Sequence, residues 1–422
     1  MAYWFDDPTL KALAPLALSS SIRGLTTIFN TPKIYAGFNV LPQGPVIGPT
    51  TMDALADRCA QKRAFVISDE FNAPNAQKAV RFLESGGFAV EMWARVLPEA
   101  PIENVRDCAE AVGRFEPDLI MAVGGGSVQD LAKGAWILYE RPDLEDLGLV
   151  SPLDKLNLRR KAMLAAVPTT AGTGSECTGA AVFHDSANQR KIPVAHDELV
   201  PDVAILSPEF TISMPPALTA GTGLDVLAHA MDAVIAPSGN DYTEPLALRA
   251  IEMVFQWLPR AYQNGSDREA RFKMMIAANI AGIAFGMSGC HLTHSFGHSL
   301  GSVYEIHHGL CVGFFIPHSF QFCSKVTDKH LAICQNLGIP APDAEQGLNN
   351  LVARVREFLT SLGVPPALKD FGIAAPDFEE NLPRLVEYAY GDISCYLSPR
   401  PITAAQCERV MRYAYEGRDI DF

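Results

Sequence analysis

The sequence predicts an α/β nucleotide-binding half followed by an all-helical half, and three observations carry that prediction. Short apolar runs alternate with helix-length amphipathic stretches up to about residue 212, a pattern that builds a mainly parallel sheet covered on both faces. From residue 213 the strand-like runs nearly vanish and long stretches of helical apolar periodicity take over. One apolar strand in the first half runs straight into three consecutive glycines, the form of a backbone cradle for phosphate. The expected domains are residues 1–212 and 213–422.

In the first half, AFVIS (64–68) reads as a strand, followed by Asp69 and a helical run to about Leu83. FAVEMW (88–93) is a second strand and IENVRDCAEAVGRF an amphipathic helix. DLIMAV (118–123) and MLAAVP (163–168) are fully apolar strands, and VFHD and KIPVA suggest small extra strands near 182–195. In the second half, MPPALTAGTGLDVLAHAMDAV, PLALRAIEMVFQWLPRAYQ, REARFKMMIAANIAGIAFGM and NNLVARVREFLTSLG read as helices, with MPP at 214–216 marking the entry.

Composition narrows the function classes. A formal charge of −14 argues against nucleic acid or an anionic membrane as partner. The nine cysteines include no C-x2-C pair, which fits free thiols in a reducing cytoplasm rather than a disulfide framework. MAYWFDDPTL lacks a basic stretch followed by an apolar core, so no export signal is read there. MMIAANIAGIAFGM is too short to span a bilayer and carries Asn279, so it reads as a buried helix.

Three motifs carry chemistry. In DLIMAVGGGSVQDLAKGAW the glycines let backbone N–H groups approach a pyrophosphate, and a helix beginning near Val128 adds partial positive charge. The spacing is not G-x-G-x-x-G. VPTTAGTGSE (167–176) follows another apolar strand and offers hydroxyls and backbone access for a ribose or base. Asp69, directly after a strand, can accept from ribose hydroxyls and would repel a 2′-phosphate; the competing reading is a helix cap. Asp225 and His229, four apart in an Ala-rich helix, put a carboxylate and an imidazole one turn apart on one face. Six of the ten histidines lie between His291 and His318, so a divalent-metal site is expected. Spacing leaves open which histidines complete it, because His291, His294 and His298 share one helical face and His307 and His308 are adjacent.

Taken in order, GGGSVQDLAK, VPTTAGTGSE, MPPALTAGTGLDVLAHAMDAV, HLTHSFGHSLGSVYEIHHG and GDISCYLSPRPIT resemble the iron-containing (group III) alcohol dehydrogenases, from about Phe29 to the end. The resemblance implies the two-domain fold shared with glycerol dehydrogenases and dehydroquinate synthases. It implies Asp225, His229, His294 and His308 as metal ligands, His308 being preferred to His307 because it directly precedes Gly309. It further implies cofactor contacts from Gly124, Gly125, Gly126, Ser127 and Asp130, from Thr169, Thr170, Thr173 and Ser175, and from Lys191. His298 matches a non-ligand histidine near the nicotinamide and is expected to relay the alcohol proton. Two departures are Ser398-Pro399-Arg400 where the family often has Asn-Pro-Arg, and the extension 1–28.

The expectation is an NAD-dependent alcohol dehydrogenase, with NADP as the second choice, acting on a small alcohol or aldehyde. Fe²⁺ is the expected metal and Zn²⁺ the alternative, since affinity order alone would not select iron. No nucleic-acid or membrane partner is expected, and a homo-oligomer, dimer or higher, is. Within the same fold a glycerol-type zinc dehydrogenase or a dehydroquinate-synthase-like lyase competes. The lyase would need basic residues in its site, and 291–308 contains no Lys or Arg. A metal-dependent hydrolase would need a general-base Glu as in H-E-x-x-H, which is absent.

Overall fold

The computed structural model describes residues 29–38, 40–41, 49–144, 146–186 and 190–422. The extension 1–28 lies outside the described residues. Contacts divide the chain into two units, with the boundary between Met214 and Pro215.

The first unit is built on one parallel sheet. Its strands are β1 (Lys33–Ala36), β2 (Arg63–Ser68), β3 (Ala89–Ala94), β4 (Leu119–Gly124), β5 (Met163–Pro168) and β8 (Val203–Leu206), in the order β1-β8-β5-β4-β2-β3. The antiparallel pair β6 (Ala180–Asp185) and β7 (Arg190–Ala195) stands apart from it. Helices α1 (Thr51–Ala56), α2 (Ala73–Ser85), α3 (Ile102–Phe115) and α4 (Gly126–Glu140) lie between the strands in sequence. β4 and β5 are buried along their whole length, as unbroken apolar runs covered on both faces should be. The sequence pattern did not find β1 and β8. Both have only four residues, and β1 is an edge strand with three of them exposed.

The second unit is helical: α5 (Pro216–Ile235), α6 (Thr243–Gln263), α7 (Arg268–Ser288), α8 (Leu292–Tyr304), α9 (His308–Cys323), α10 (His330–Leu337), α11 (Ala344–Ser361), α12 (Ala375–Gly391), α13 (Ile393–Tyr396) and α14 (Ala404–Glu416). Pro216 occupies the first helical position of α5, where its missing N–H is no loss. Every residue of α5 from Thr219 to Ile235 is buried, so this helix is apolar all round and runs through the interior. The polar residues it carries must therefore find partners inside the protein. A Cβ at Gly309 would lie 1.9 Å from the Gly221 carbonyl oxygen, so only glycine lets the start of α9 press against α5. That contact sets His308 beside Asp225. Among the described residues, no single helix is long and apolar enough to cross a membrane.

Candidate metal and nucleotide sites

In the first unit, Asp69, Gly124–Ser127 and Thr169–Thr173 follow the carboxyl ends of β2, β4 and β5, which are neighbours in the sheet. Open α/β sheets bind their ligands at such ends. The helix after the glycines starts at Gly126 with Gly125 as its cap, two residues before the expected Val128. The last glycine thus opens the first turn, whose N–H groups have no intrahelical partners and point outward at a partial positive charge. The loop after β5 touches this turn. A Cβ at Gly126 would lie 2.9 Å from Thr173 Cγ2, and one at Gly125 3.2 Å from Thr170 Cγ2. Thr169 N–H donates to the Gly124 carbonyl at 3.1 Å. The Ser127 hydroxyl accepts from Glu99 N–H at 3.1 Å, and Lys191 Nζ pairs with Glu99 Oε1 at 3.1 Å, which brings Lys191 to the same loop.

Asp130, Ser175 and Asp69, expected as cofactor contacts, also make hydrogen bonds within the protein. Ser175 Oγ donates to Asp130 at 2.8 Å and accepts from Lys133 Nζ at 2.9 Å. The second Asp130 oxygen accepts Val182 N–H at 3.0 Å. Lys133 is fully buried and also donates to the carbonyls of Thr178 and Ala180. Burial pushes its ammonium down to about 8, against the pull of Asp130. This network braces α4 against the second loop and β6. Asp69 accepts from Asn72 through both oxygens, from the backbone N–H at 2.7 Å and from Nδ2 at 2.8 Å, and so caps the entry to α2.

In the second unit the four predicted ligands converge. Asp225 Oδ1 lies 3.2 Å from His308 Nε2, 3.7 Å from His229 Nε2 and 3.9 Å from His294 Nε2. The His229 ring stacks on Phe285 at 3.9 Å and on His294 at 4.6 Å, which fixes its plane. Asp225 Oδ1, His229 Nδ1 and His294 Nε2 are buried without a hydrogen-bond partner. Burial pushes His229 down to about 3, against the pull of Asp225, and His308 moves the same way for the same reason. Burial alone would raise the Asp225 carboxyl, but the imidazoles of His229, His308 and His294 outweigh it and hold it below the usual range. His294 moves the other way: burial opposes its charge, but Cys290 and Asp232 outweigh it, so a cation would have to displace that proton. One carboxylate and three imidazoles are a donor set that fits a divalent cation of borderline softness.

Three neighbours of these donors were not read from the sequence. Asp232 Oδ2 lies 2.9 Å from His294 Nδ1 and accepts His291 N–H at 3.0 Å. A carboxylate can only accept, so Nδ1 of His294 carries its proton and Nε2 is left facing Asp225. Asp392 Oδ2 lies 2.8 Å from His298 Nδ1. Cys290 joins His229 and His294 in a second group of donor atoms. The open choice among histidines also narrows. His307 caps α9, its Nδ1 accepting Gly309 N–H at 3.2 Å. His291 precedes α8 and is tied to Asp232, so it does not share the helical face of His294 and His298.

Residues 42–208 match the family described as iron-containing alcohol dehydrogenase, and residues 219–415 match Fe-containing alcohol dehydrogenase family, C-terminal. An NADPH-dependent butanol dehydrogenase of Clostridium saccharobutylicum is 34% identical over 346 residues, 82% of this chain and 89% of its own length. The chain belongs to the iron-containing alcohol dehydrogenase family. Among solved structures, a 1,3-propanediol oxidoreductase is 27% identical with a TM-score of 0.81, covering 92% of this chain and 100% of its own. A sulfoacetaldehyde reductase of Bifidobacterium kashiwanohense, solved with NAD⁺, is 25% identical with a TM-score of 0.78, covering 93% and 99%. Both match as whole chains, so this member of the family has the family's fold, an α/β unit followed by a helical one.

Proposed function

We propose that this chain interconverts an alcohol and its aldehyde or ketone by hydride transfer with NAD, using a divalent cation held by Asp225, His229, His294 and His308. The observation that carries the reading is Asp225 Oδ1, buried among three imidazole nitrogens and bonded to none by hydrogen. A bound cation would polarise the substrate oxygen, and the nicotinamide would exchange hydride with the carbon bearing it. Asp232 fixes the tautomer of His294 and so aims its free nitrogen. Burial works against the ionised Asp392, yet His298 and the Ser394 donors outweigh it, holding its carboxyl below the usual range. Asp392 therefore accepts from His298 Nδ1–H and leaves Nε2 of His298, a partly exposed ring 5.1 Å from that of His308, to take the substrate's proton.

On the nucleotide side, N–H groups of Gly125, Gly126 and Ser127 would hold the pyrophosphate, with Gly124 permitting the turn. Thr169, Thr170 and Thr173 would line the adenosine end, with Lys191 reaching in from β7. Fe²⁺ is the proposed cation and Zn²⁺ the second choice; NADP stands as the second cofactor. The nine cysteines, none of them in a disulfide, support a reducing, cytoplasmic setting, and a homo-oligomer is proposed for light scattering to check. The test of function is to load the purified protein anaerobically with Fe²⁺ or Zn²⁺ and screen alcohols, diols and aldehydes with NAD and NADP. Substrate-dependent change in reduced nicotinamide is expected. Metal-loaded protein that neither turns over nor alters NADH fluorescence would refute the reading.

A further inference from the structure

The helical unit contains two overlapping groups of metal-type donors: Asp225, His294 and His308, and His229, Cys290 and His294. In each, the donor atoms lie within 4.8 Å of one another. The first is a carboxylate with two imidazoles. The second, with a thiol and two imidazoles, is the softer. We propose that Cys290 is a metal ligand, forming with His229 and His294 a thiolate-containing position that Zn²⁺ and Co²⁺ occupy. The proposal rests on the reading that this cluster binds a divalent cation.

Several observations support it. Eight of the nine cysteines are buried, and Cys290 alone is partly exposed. Gly289, at φ 79°, ends α7 and turns the chain just before it. His294 Nε2 and His229 Nδ1 are buried without hydrogen-bond partners, so the imidazoles on either side have unused capacity. Tetrahedral Zn²⁺, with Zn–S about 2.3 Å and Zn–N about 2.0–2.1 Å, needs donors roughly 3.4–3.6 Å apart, so with both imidazoles held by their neighbours the Cys290 side chain would have to swing in to close the remaining gap. Thiolate favours Zn²⁺ and Co²⁺ over harder cations, whereas carboxylate does not discriminate in that way. On binding, the S–H bond breaks, the S–metal bond forms and the proton leaves to solvent. His294 belongs to both groups, so one chain holds one ion, and the nature of the ion decides which side of His294 it occupies.

The test uses full-length wild type and Cys290→Ser, stripped by chelation and reloaded with Co²⁺. Wild type should bind one Co²⁺ with a near-ultraviolet thiolate-to-cobalt charge-transfer band, and metal should protect Cys290 from iodoacetamide as read by peptide mass spectrometry. Cys290→Ser should lose the band and bind Zn²⁺ more weakly by at least the roughly 10- to 100-fold that loss of an outer-shell partner costs, with Fe²⁺ binding unchanged. Co²⁺ bound to wild type without the band, and Cys290 alkylated equally with and without metal, would overturn the proposal while leaving the cation site intact. Absence of any Co²⁺ binding would defeat the cation reading and this proposal together. The wild-type spectrum decides even if the variant does not fold.

Discussion

Two polar clusters, one in each unit, differ in whether the protein satisfies them. Around Lys133, each group has a partner: the ammonium donates to Ser175, Thr178 and Ala180, and the Asp130 carboxylate accepts from Ser175 and Val182. Around Asp225, three buried donor atoms have none. Leaving a buried polar atom unpaired costs about 1–3 kcal/mol, so a fold that leaves one such atom on each of three neighbouring side chains is short of partners that something else must supply. Orphaned atoms are not sufficient by themselves. His318 also has both ring nitrogens unpaired, yet it packs against Phe314 and Phe315 and stands outside both donor groups. The distinguishing feature is convergence: a carboxylate and several imidazoles short of partners at one point.

The largest expected effect within this comparison is at His298, beside the unsatisfied cluster. His298→Ala should retain metal and lose roughly 10²- to 10⁴-fold in kcat, with a flattened pH profile, since its proposed task is the proton. Loss of metal from that variant would make His298 a ligand and redraw the cluster. Next comes Asp232. Asp232→Asn should weaken metal binding roughly 10- to 100-fold, with activity recovering in excess metal, as expected when an orienting partner is lost and the ligands remain. Unchanged affinity would mean that the 2.9 Å contact to His294 does not orient it.

On the satisfied side, Lys133 should act through stability. Its folded value of about 8 lies below the ordinary 10.5. Below about pH 8 both states hold the proton and the full cost of burying the charge is present. Between about 8 and 10.5 the unfolded chain binds more protons, so this group makes stability rise with pH. Lys133→Met should lack that rise; denaturant unfolding across the window, compared with wild type, reads it, and parallel curves would contradict it. The smallest effect is expected at Asp69, whose oxygens are both taken by Asn72. Asp69→Gly should raise the NADP to NAD ratio of kcat/KM several-fold, because a carboxylate near the ribose repels a 2′-phosphate. An unchanged ratio with a lowered Tm would place Asp69 wholly with the scaffold.

What the sequence made legible followed the range of the interactions. The strand–glycine–helix unit at 118–140 was readable because period, glycines and helix are local. So were α3, whose residues match the expected helix end to end, and the Asp225–His229 pair on α5. His294 and His308 needed the resemblance, since choosing them over His291 and His307 depends on cap geometry and on Gly309 fitting against Gly221. Asp232, Cys290 and Asp392 were missed. Separations of 59 positions from Asp232 to His291, and of 94 from His298 to Asp392, leave no periodic trace. Asp232 did leave one signal, its place three residues after His229 on the same helix. For Asp130 and Ser175, expected as cofactor contacts, motif position gave no sign of the Lys133 network in which both also take part.

The contrast between the clusters is tested most directly by counting metal. Wild type, His294→Ala and Lys133→Met would be purified together, shown to be folded by circular dichroism, and analysed for metal per chain. About one ion in wild type and in Lys133→Met, with His294→Ala nearly empty, is the result expected if the unsatisfied cluster is the cation site. An undiminished metal content in folded His294→Ala would contradict it.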